Sequence, residues 1–255
     1  MYKVVCFDLD GTLLTSDKRI TESEQLIVRQ LKEKKVNIVL VSGRRIEEML
    51  QYAKMLALTD NDYLISGDGQ YIYDYLGNEI WTNSFLTKKD LFFIIATLTK
   101  KIVFFTKHQD YSVVPKRTFD KTKQSKKEFV TFVKLFFLNV DHIEKIVLRK
   151  VSIKDSLKRK YTVHEYTNQT VEILNKQVNK YRALSELNQR YYNLNLESFL
   201  YFGDDINDIE CFENLPNCVA MSTAPEIIKS KAKYIAISGC DGLGICVILK
   251  DIFKL

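Results

Sequence analysis

The chain has 255 residues, of which 46% are hydrophobic, with only three prolines and nine glycines. This composition fits a globular protein with a substantial core, in one large or two modest domains, and excludes long disordered linkers. No apolar run approaches the roughly 20 residues that cross a bilayer, and the first residues show no secretory leader, so we expect a cytoplasmic protein. Five cysteines without a Cys-x-x-Cys pair and three scattered histidines do not indicate a disulfide framework or a zinc site.

The net charge of +6 is unevenly distributed along the chain. Residues 84–170 hold 19 Lys and Arg against 8 Asp and Glu, so the rest of the chain is net acidic. The basic middle has two interpretations, which both stay open. In the first interpretation, the basic residues belong to solvated lysine-rich helices. In the second, they form a surface that attracts anionic ligands.

The first eighty residues alternate between apolar strands and amphipathic helices. Residues 3–7, 37–44 and 63–66 are predicted strands. Thr21 and Glu24 form a predicted capping box for the helix after the first strand, and apolar residues from Ile46 to Ala53 follow at helical spacing. This alternation predicts a Rossmann-like parallel sheet with helices on both faces.

The pattern then changes and later returns. Residues 71–81 predict a hairpin, and residues 84–170 predict an inserted α+β cap domain with a helix at 126–137. From residue 171 the alternation of strand and helix resumes, with a buried strand at 198–205. We therefore predict an α/β core domain from residues 1–83 and 171–255, and a cap domain from residues 84–170.

Polar residues follow four of the predicted core strands. They are Asp8 and Asp10, Ser42-Gly43-Arg44, Asp68, and Gly203-Asp204-Asp205 with Asn207 and Asp208. Because ligands of parallel sheets bind beyond the carboxyl ends of the strands, we expect Asp8, Asp10 and Asp204 to meet in one small volume. Like charges in a poorly solvated site raise one another's pKa, and Mg²⁺, which prefers carboxylate oxygens, relieves that repulsion.

Such a site suits phosphoryl transfer. Asp8 is placed to attack phosphorus and form an aspartyl-phosphate, and Asp10 to protonate the leaving oxygen and later activate water. Ser42 and the backbone N–H groups after it are candidates to hold the phosphate. Lys180, at the start of a predicted core helix, is a candidate for the cation that phosphoryl transfer needs.

The motifs DLDGTLL, VSGR, VNKYRAL and GDDINDIEC resemble, in this order, the four motifs of the haloacid dehalogenase superfamily, and the position of the insertion resembles its Cof-type sugar-phosphatase branch. The resemblance implies that Asp8 is the nucleophile and a Mg²⁺ ligand, and that Asp10 is the general acid and base, offering the metal its backbone carbonyl. It implies phosphate binding by Ser42, a charge-stabilising role for Lys180 and a second metal ligand in Asp204. Asp208 becomes a supporting acid behind the metal ligands, and Asn207 a ligand of phosphate or of metal-bound water. Asp68-Gly69-Gln70 departs from the family's Asn-Gly-Ala.

We therefore expect a Mg²⁺-dependent phosphatase for small phosphorylated metabolites, such as sugar phosphates. Two alternatives are a phosphomutase or other phosphotransferase, and a non-hydrolytic module that stores phosphate on aspartate. We expect no membrane partner, because no apolar run is long enough to cross a bilayer. We expect no nucleic acid as partner, because the aromatic residues of the basic segment fall in core-like runs. The sequence does not predict the oligomeric state.

Overall fold

The structure is a computed structural model that describes residues 2–98, 102–107, 109–113, 129–130, 140 and 142–255. Its strands are β1 (Val4–Asp8), β2 (Asn37–Val41), β3 (Tyr63–Ser66), β4 (Tyr71–Asp74), β5 (Glu79–Thr82), β6 (Ile102–Thr106), β7 (Asp110–Val113), β8 (Phe129–Val130), β9 (Ile143–Arg149), β10 (Thr162–Glu165), β11 (Thr170–Leu174), β12 (Phe199–Gly203), β13 (Cys218–Ala220) and β14 (Tyr234–Ile235). Its helices are α1 (Glu22–Glu33), α2 (Ile46–Met55), α3 (Lys88–Thr97), α4 (Asp155–Lys160), α5 (Lys180–Leu187), α6 (Ile209–Asn214), α7 (Glu226–Lys229) and α8 (Gly244–Phe253).

The chain divides into two compact units. One unit combines Met1–Asn83 with Asn179–Leu255, and the other is Ser84–Val178. The first unit holds an eight-stranded sheet in the order β14-β13-β12-β1-β2-β3-β4-β5. The strands from β14 to β3 run parallel, while β4 and β5 add an antiparallel hairpin at one edge. The predicted fold class, a Rossmann-like parallel sheet with an inserted α+β unit, is confirmed.

Strand β1 can lie in the middle of the sheet because its first four residues are apolar. Its single polar residue, Asp8, stands at the end of the strand, where its carboxylate finds hydrogen-bond partners. Val4 and Cys6 pack with residues of α5 and α6 on one face, while the alternate residues Val5 and Phe7 are also fully buried. A strand with both faces buried is typical of a parallel sheet covered by helices on both sides. The predicted capping box at Thr21 and Glu24 starts α1.

The second unit is built on a six-stranded sheet in the order β10-β11-β9-β6-β7-β8. Strand β11 pairs antiparallel with both β9 and β10 in this sheet. The prediction that residue 171 begins the return to the core sheet is therefore wrong, and the chain re-enters the first unit at Asn179. An alternating apolar strand such as β11 can satisfy either sheet, because its pattern does not identify its neighbours.

Two further expectations concern a helix in the middle of the insertion and a membrane span. The helix predicted at 126–137 is wrong at Phe129 and Val130, which form a short strand beside β7; its other residues lie outside the described part. Within the described residues, no helix is long and apolar enough to cross a membrane.

The register of the parallel strands brings their carboxyl ends to one level. Asp8 lies beside Val41 of β2, and Phe7 lies beside Phe202 of β12. The chain therefore leaves β1, β2 and β12 at the same edge of the sheet. The polar residues that follow these strands come together there.

Candidate active site

The acidic residues at the ends of β1 and β12 form one cluster, in which Asp8 and Asp208 are buried and Asp204 is partly exposed. Asp8, Asp204 and Asp208 each offer a carboxylate oxygen within 4.8 Å of the others. Asp8 is 4% exposed and Asp208 is fully buried. The hydroxyl of Thr12 donates to Asp204 Oδ1 over 2.9 Å, which links the loop after β1 to the loop after β12. The sequence prediction places Asp8, Asp10 and Asp204 in one small volume. Asp8 and Asp204 meet from positions about 200 residues apart, whereas the carboxylate of Asp10 is not part of this cluster.

Asp208 lies behind this cluster, where hydrogen bonds occupy both of its oxygens. Its Oδ1 accepts from Lys180 Nζ and from the hydroxyl of Tyr201, each over 2.6 Å. Its Oδ2 accepts from the backbone N–H groups of Asp204 and Asp205, over 2.9 and 3.2 Å. A carboxylate has about four lone-pair positions, so these four donors use all of them. Asp208 therefore shapes the loop of Asp204 and is poorly suited to bind a cation itself.

Lys180 begins α5 and is fully buried. Its Nζ donates to Asp8 Oδ1 and to Asp208 Oδ1, each over 2.6 Å. Burial alone would lower the pKa of Lys180, but the charges of Asp208 and Asp8 raise it well above its ordinary value. The ammonium group is therefore a fixed positive charge beside Asp8.

The turn at residues 67–69 supports the start of α5. Gly67, Asp68 and Gly69 all have positive φ, at 59°, 56° and 98°. A Cβ on Gly69 would lie 2.2 Å from the backbone oxygen of Asn179, so only glycine allows this approach. The side chain of Asn179 caps α5 by accepting from Arg182 N–H. The turn thus holds the residue that precedes Lys180.

Asp10 lies beyond β1 and is surrounded by two cations. Arg44 donates through Nε to Asp10 Oδ2 over 2.6 Å and through Nη2 to Oδ1 over 2.7 Å. Lys18 Nζ donates to Oδ1 over 2.6 Å. Partial burial raises the pKa of Asp10, but the hydrogen bonds and charges of Arg44 and Lys18 outweigh it and hold the pKa below its ordinary value. Arg44 is predicted to hold phosphate, but its guanidinium binds the Asp10 carboxylate in this structure. Lys18 is the second cation on this carboxylate.

The loop after β2 holds the other predicted phosphate-binding residues. Ser42 is 1% exposed, and its Oγ accepts from the N–H of Arg44 over 3.2 Å. Asp68 N–H donates to the Ser42 carbonyl, and a Cβ on Gly43 would lie 2.7 Å from an Asp68 carboxylate oxygen. Asn207 Nδ2 donates to Asp68 Oδ1 over 2.9 Å. Asp68 therefore connects the Ser42 loop to the loop that carries Asp204 and Asn207.

The comparison with known proteins decides the family. A family model described as haloacid dehalogenase-like hydrolase matches residues 5–249. The chain belongs to this family. The predictions of the superfamily and of a hydrolytic enzyme are thereby confirmed.

Individual haloacid dehalogenase relatives match over nearly the whole chain. A Bacillus subtilis 5-amino-6-(5-phospho-D-ribitylamino)uracil phosphatase is 26% identical, over 91% of this chain and 89% of its own. An HMP-PP phosphatase of Yersinia pseudotuberculosis is 25% identical, over 96% and 93%. Among solved structures, the HAD subclass IIB sugar phosphatase BT4131 superposes with a TM-score of 0.78 at 20% identity, over 99% of this chain and all of the other. This likeness shows that the two chains share a fold.

The electrostatics of the haloacid dehalogenase site fit a divalent cation. Burial raises the pKa of Asp204 to about 7, and the charge of Asp208 adds to this effect. Burial also raises the pKa of Asp8 well above its ordinary value, against the opposing charge of Lys180, and the charges of Asp208 and Asp204 raise it further. Gly11, at a φ of 84°, gives room around Asp204, because a Cβ there would lie 2.2 Å from Oδ2. Hard carboxylate oxygens that repel each other in a restricted space suit Mg²⁺.

Sequence reasoning missed three side chains that this site uses: Thr12, Lys18 and Tyr201. Thr12 binds Asp204, Tyr201 binds Asp208 and Lys18 binds Asp10. Tyr201 stands inside the apolar run of β12, where its position indicates a core residue, and Lys18 stands in a charged loop. Only Thr12, which directly follows the Asp-x-Asp-Gly pattern, carried a local signal.

Proposed function

We propose that the chain is a Mg²⁺-dependent phosphatase that hydrolyses small phosphorylated metabolites, such as sugar phosphates, through an aspartyl-phosphate. One observation carries this proposal: Asp8 accepts a hydrogen bond from Lys180 through one oxygen, and its carboxylate lies in the same cluster as Asp204. A nucleophile, a fixed cation and a second carboxylate are thus gathered at the carboxyl edge of the sheet. Asp8 and Asp204, with the backbone carbonyl of Asp10, would hold Mg²⁺. When bound, the ion neutralises charge on Asp8 and on the phosphate oxygens.

The protein residues divide the reaction into two steps. A carboxylate oxygen of Asp8 attacks phosphorus, and the bond from phosphorus to the ester oxygen breaks. Asp10 gives that oxygen a proton, which Asp10 takes up from solvent when Arg44 and Lys18 turn from its carboxylate to the phosphate oxygens. Asp10 then takes a proton from water as the water oxygen attacks phosphorus, which releases inorganic phosphate and restores Asp8. Lys180 holds Asp8 in place in both steps, and Ser42 with the N–H groups of Gly43 and Arg44, and the amide of Asn207, hold phosphate oxygens.

The substrate class and the role of the insertion are part of this proposal. The two relatives are named as phosphatases of small phosphorylated compounds. We propose that residues 84–178 form a cap that selects substrates, and that the excess of basic residues in 84–170 attracts anionic metabolites. We place the activity in the cytoplasm, where the five cysteines, all free here, stay reduced.

A turnover assay tests the proposal. The purified chain is incubated with p-nitrophenyl phosphate and a panel of sugar phosphates and nucleotides, with Mg²⁺ or with EDTA. We expect many turnovers with Mg²⁺, none with EDTA and none for Asp8→Asn. A single burst without turnover would instead indicate a module that stores phosphate on aspartate. Transfer of the phosphoryl group to a second sugar, rather than to water, would indicate a mutase or other transferase.

A further inference from the structure

Lys18 is a second cation on the proposed acid and base, and no motif of the site includes it. Its Nζ lies 2.6 Å from Asp10 Oδ1, although Arg44 already donates to both oxygens of that carboxylate. A guanidinium that binds a carboxylate through two N–H groups fixes its position and neutralises its charge. The ammonium of Lys18 therefore adds positive charge that Asp10 does not need.

The hydrogen-bond donors around Asp10 exceed what this carboxylate uses. A lysine has three N–H donors and an arginine has five. Within the described part of the chain, Lys18 uses one of them and Arg44 uses two. The side chain of Lys18 is 51% exposed and that of Arg44 is 18% exposed, so Lys18 is the more accessible of the two. An incoming anion would meet unused donors and a net positive charge at this point.

The backbone holds Lys18 in place despite its exposure. Lys18 has a φ of 62°, and its N–H donates to the carbonyl of Thr15 over 2.9 Å. The hydroxyl of Tyr52 donates to the carbonyl of Lys18 over 3.2 Å, while the ring of Tyr52 lies 5.7 Å from the Arg44 guanidinium carbon. Ser16 N–H donates to Asp241 on the other side of the loop, over 2.7 Å. One buried tyrosine thus orients both cations.

We propose that Lys18 is a substrate-binding residue that, together with Arg44, binds the oxygens of the phosphoryl group beside Asp10. This inference rests on the proposed function, because it assumes that Asp10 works next to the scissile phosphate. Lys18 acts by direct contact with the anion. Tyr52 is a positioning residue, because it acts only through the backbone of Lys18 and the plane of Arg44.

The test measures phosphate affinity apart from turnover. Inorganic phosphate is titrated calorimetrically into the Mg²⁺-loaded full chain, and KM and kcat are measured with p-nitrophenyl phosphate. For Lys18→Met we expect the Kd of phosphate and the KM to rise about fivefold, because a ground-state contact is lost. We expect kcat to change by a smaller factor, because Arg44 still binds both oxygens of Asp10. Lys18→Arg restores the affinity, and Tyr52→Phe weakens it by a smaller factor.

A matched control separates charge from backbone effects. Lys35 is also an exposed lysine at a φ of 60°, in the turn after α1, and among the described residues it contacts none of the site. Lys35→Met should change neither phosphate affinity nor KM. If Lys18→Met lowers kcat and leaves the Kd of phosphate unchanged, Lys18 acts only through Asp10 and the inference is wrong. If phosphate binding depends on Lys18 but the wild type hydrolyses no ester, the proposed function fails, and Lys18 is a phosphate-binding residue without a role in hydrolysis.

Discussion

Replacing Asp204 with asparagine should stabilise the protein when Mg²⁺ is removed. The asparagine keeps the shape of the side chain and can still accept the hydrogen bond from Thr12, but it carries no charge. In the folded protein without metal, burial and the charge of Asp208 raise the pKa of Asp204 from 3.8 to about 7. The folded chain therefore binds a proton that the unfolded chain has released between these two pH values, and wild-type stability falls as pH rises through this window.

The pKa change sets the size of this effect. The difference of about three between the folded and unfolded pKa of Asp204 corresponds to roughly 4 kcal/mol of unfolding free energy. Structural relaxation around this partly exposed carboxylate reduces the measured value to about 2 to 4 kcal/mol. At pH 8 in EDTA, Asp204→Asn should unfold at higher urea than the wild type by this free energy. At pH 4 the two proteins should be alike, because Asp204 is then protonated in the folded wild type.

Urea unfolding followed through Trp81 provides the assay. Trp81, the single tryptophan, lies in β5 of the unit that holds the site. With Mg²⁺ at 100 times its Kd, the wild type should gain about 2.7 kcal/mol, and Asp204→Asn much less. Asp251→Asn, at a side chain 83% exposed in α8, serves as the charge control. Equal stability of wild type and Asp204→Asn at pH 8 in EDTA would refute the idea that these carboxylates repel each other.

Three other substitutions test separate parts of the site. Lys180→Met should lower the free energy of unfolding by about 3 to 5 kcal/mol at pH 8, because it leaves two buried carboxylates without their cation; a loss below about 1 kcal/mol in the same urea assay would contradict this. Gly11→Ala should weaken Mg²⁺ binding at least about tenfold by calorimetry, since the added Cβ would meet Asp204, whereas Gly77→Ala, also at positive φ but against a flexible leucine, should cost stability without changing Mg²⁺ affinity. Asp10→Asn should lower kcat about 10²- to 10⁴-fold in steady-state assays and leave the stabilisation by Mg²⁺ intact, because its side chain contacts Arg44 and Lys18; loss of that stabilisation would make the Asp10 side chain a metal ligand.

The parallel sheet and its acidic edge could be predicted from sequence because both signals are local. A buried apolar run that ends in carboxylates, as at Asp8 and Asp204, identifies both the strand and its functional end. Partners across the sheet are not local. Strand β11 has the apolar pattern of a core strand, yet its hydrogen bonds go to β9 and β10. The sheet to which β11 belongs is therefore known only from its hydrogen-bonded neighbours in the structure.

The same limit applies to the side chains around the carboxylates. Tyr201 and Lys18 lie only seven and eight residues from the acids they bind, yet it is the folded backbone that turns these two side chains toward Asp208 and Asp10. Neither residue type nor spacing identifies such contacts. The family motifs predict which residues react, and they do not predict which neighbours set their charge and orientation.

The order of strands has a consequence for synthesis of the protein on the ribosome. Strand β1 lies between β2 and β12, and β12 begins about 190 residues after β1 ends. At roughly 5 to 20 residues per second, one edge of this apolar strand waits about 10 to 40 s for its neighbour. During that interval the nascent chain carries an unpaired edge, which is a template for wrong pairing with other chains. We therefore expect the nascent chain to be most prone to aggregation before β12 has emerged and paired with β1.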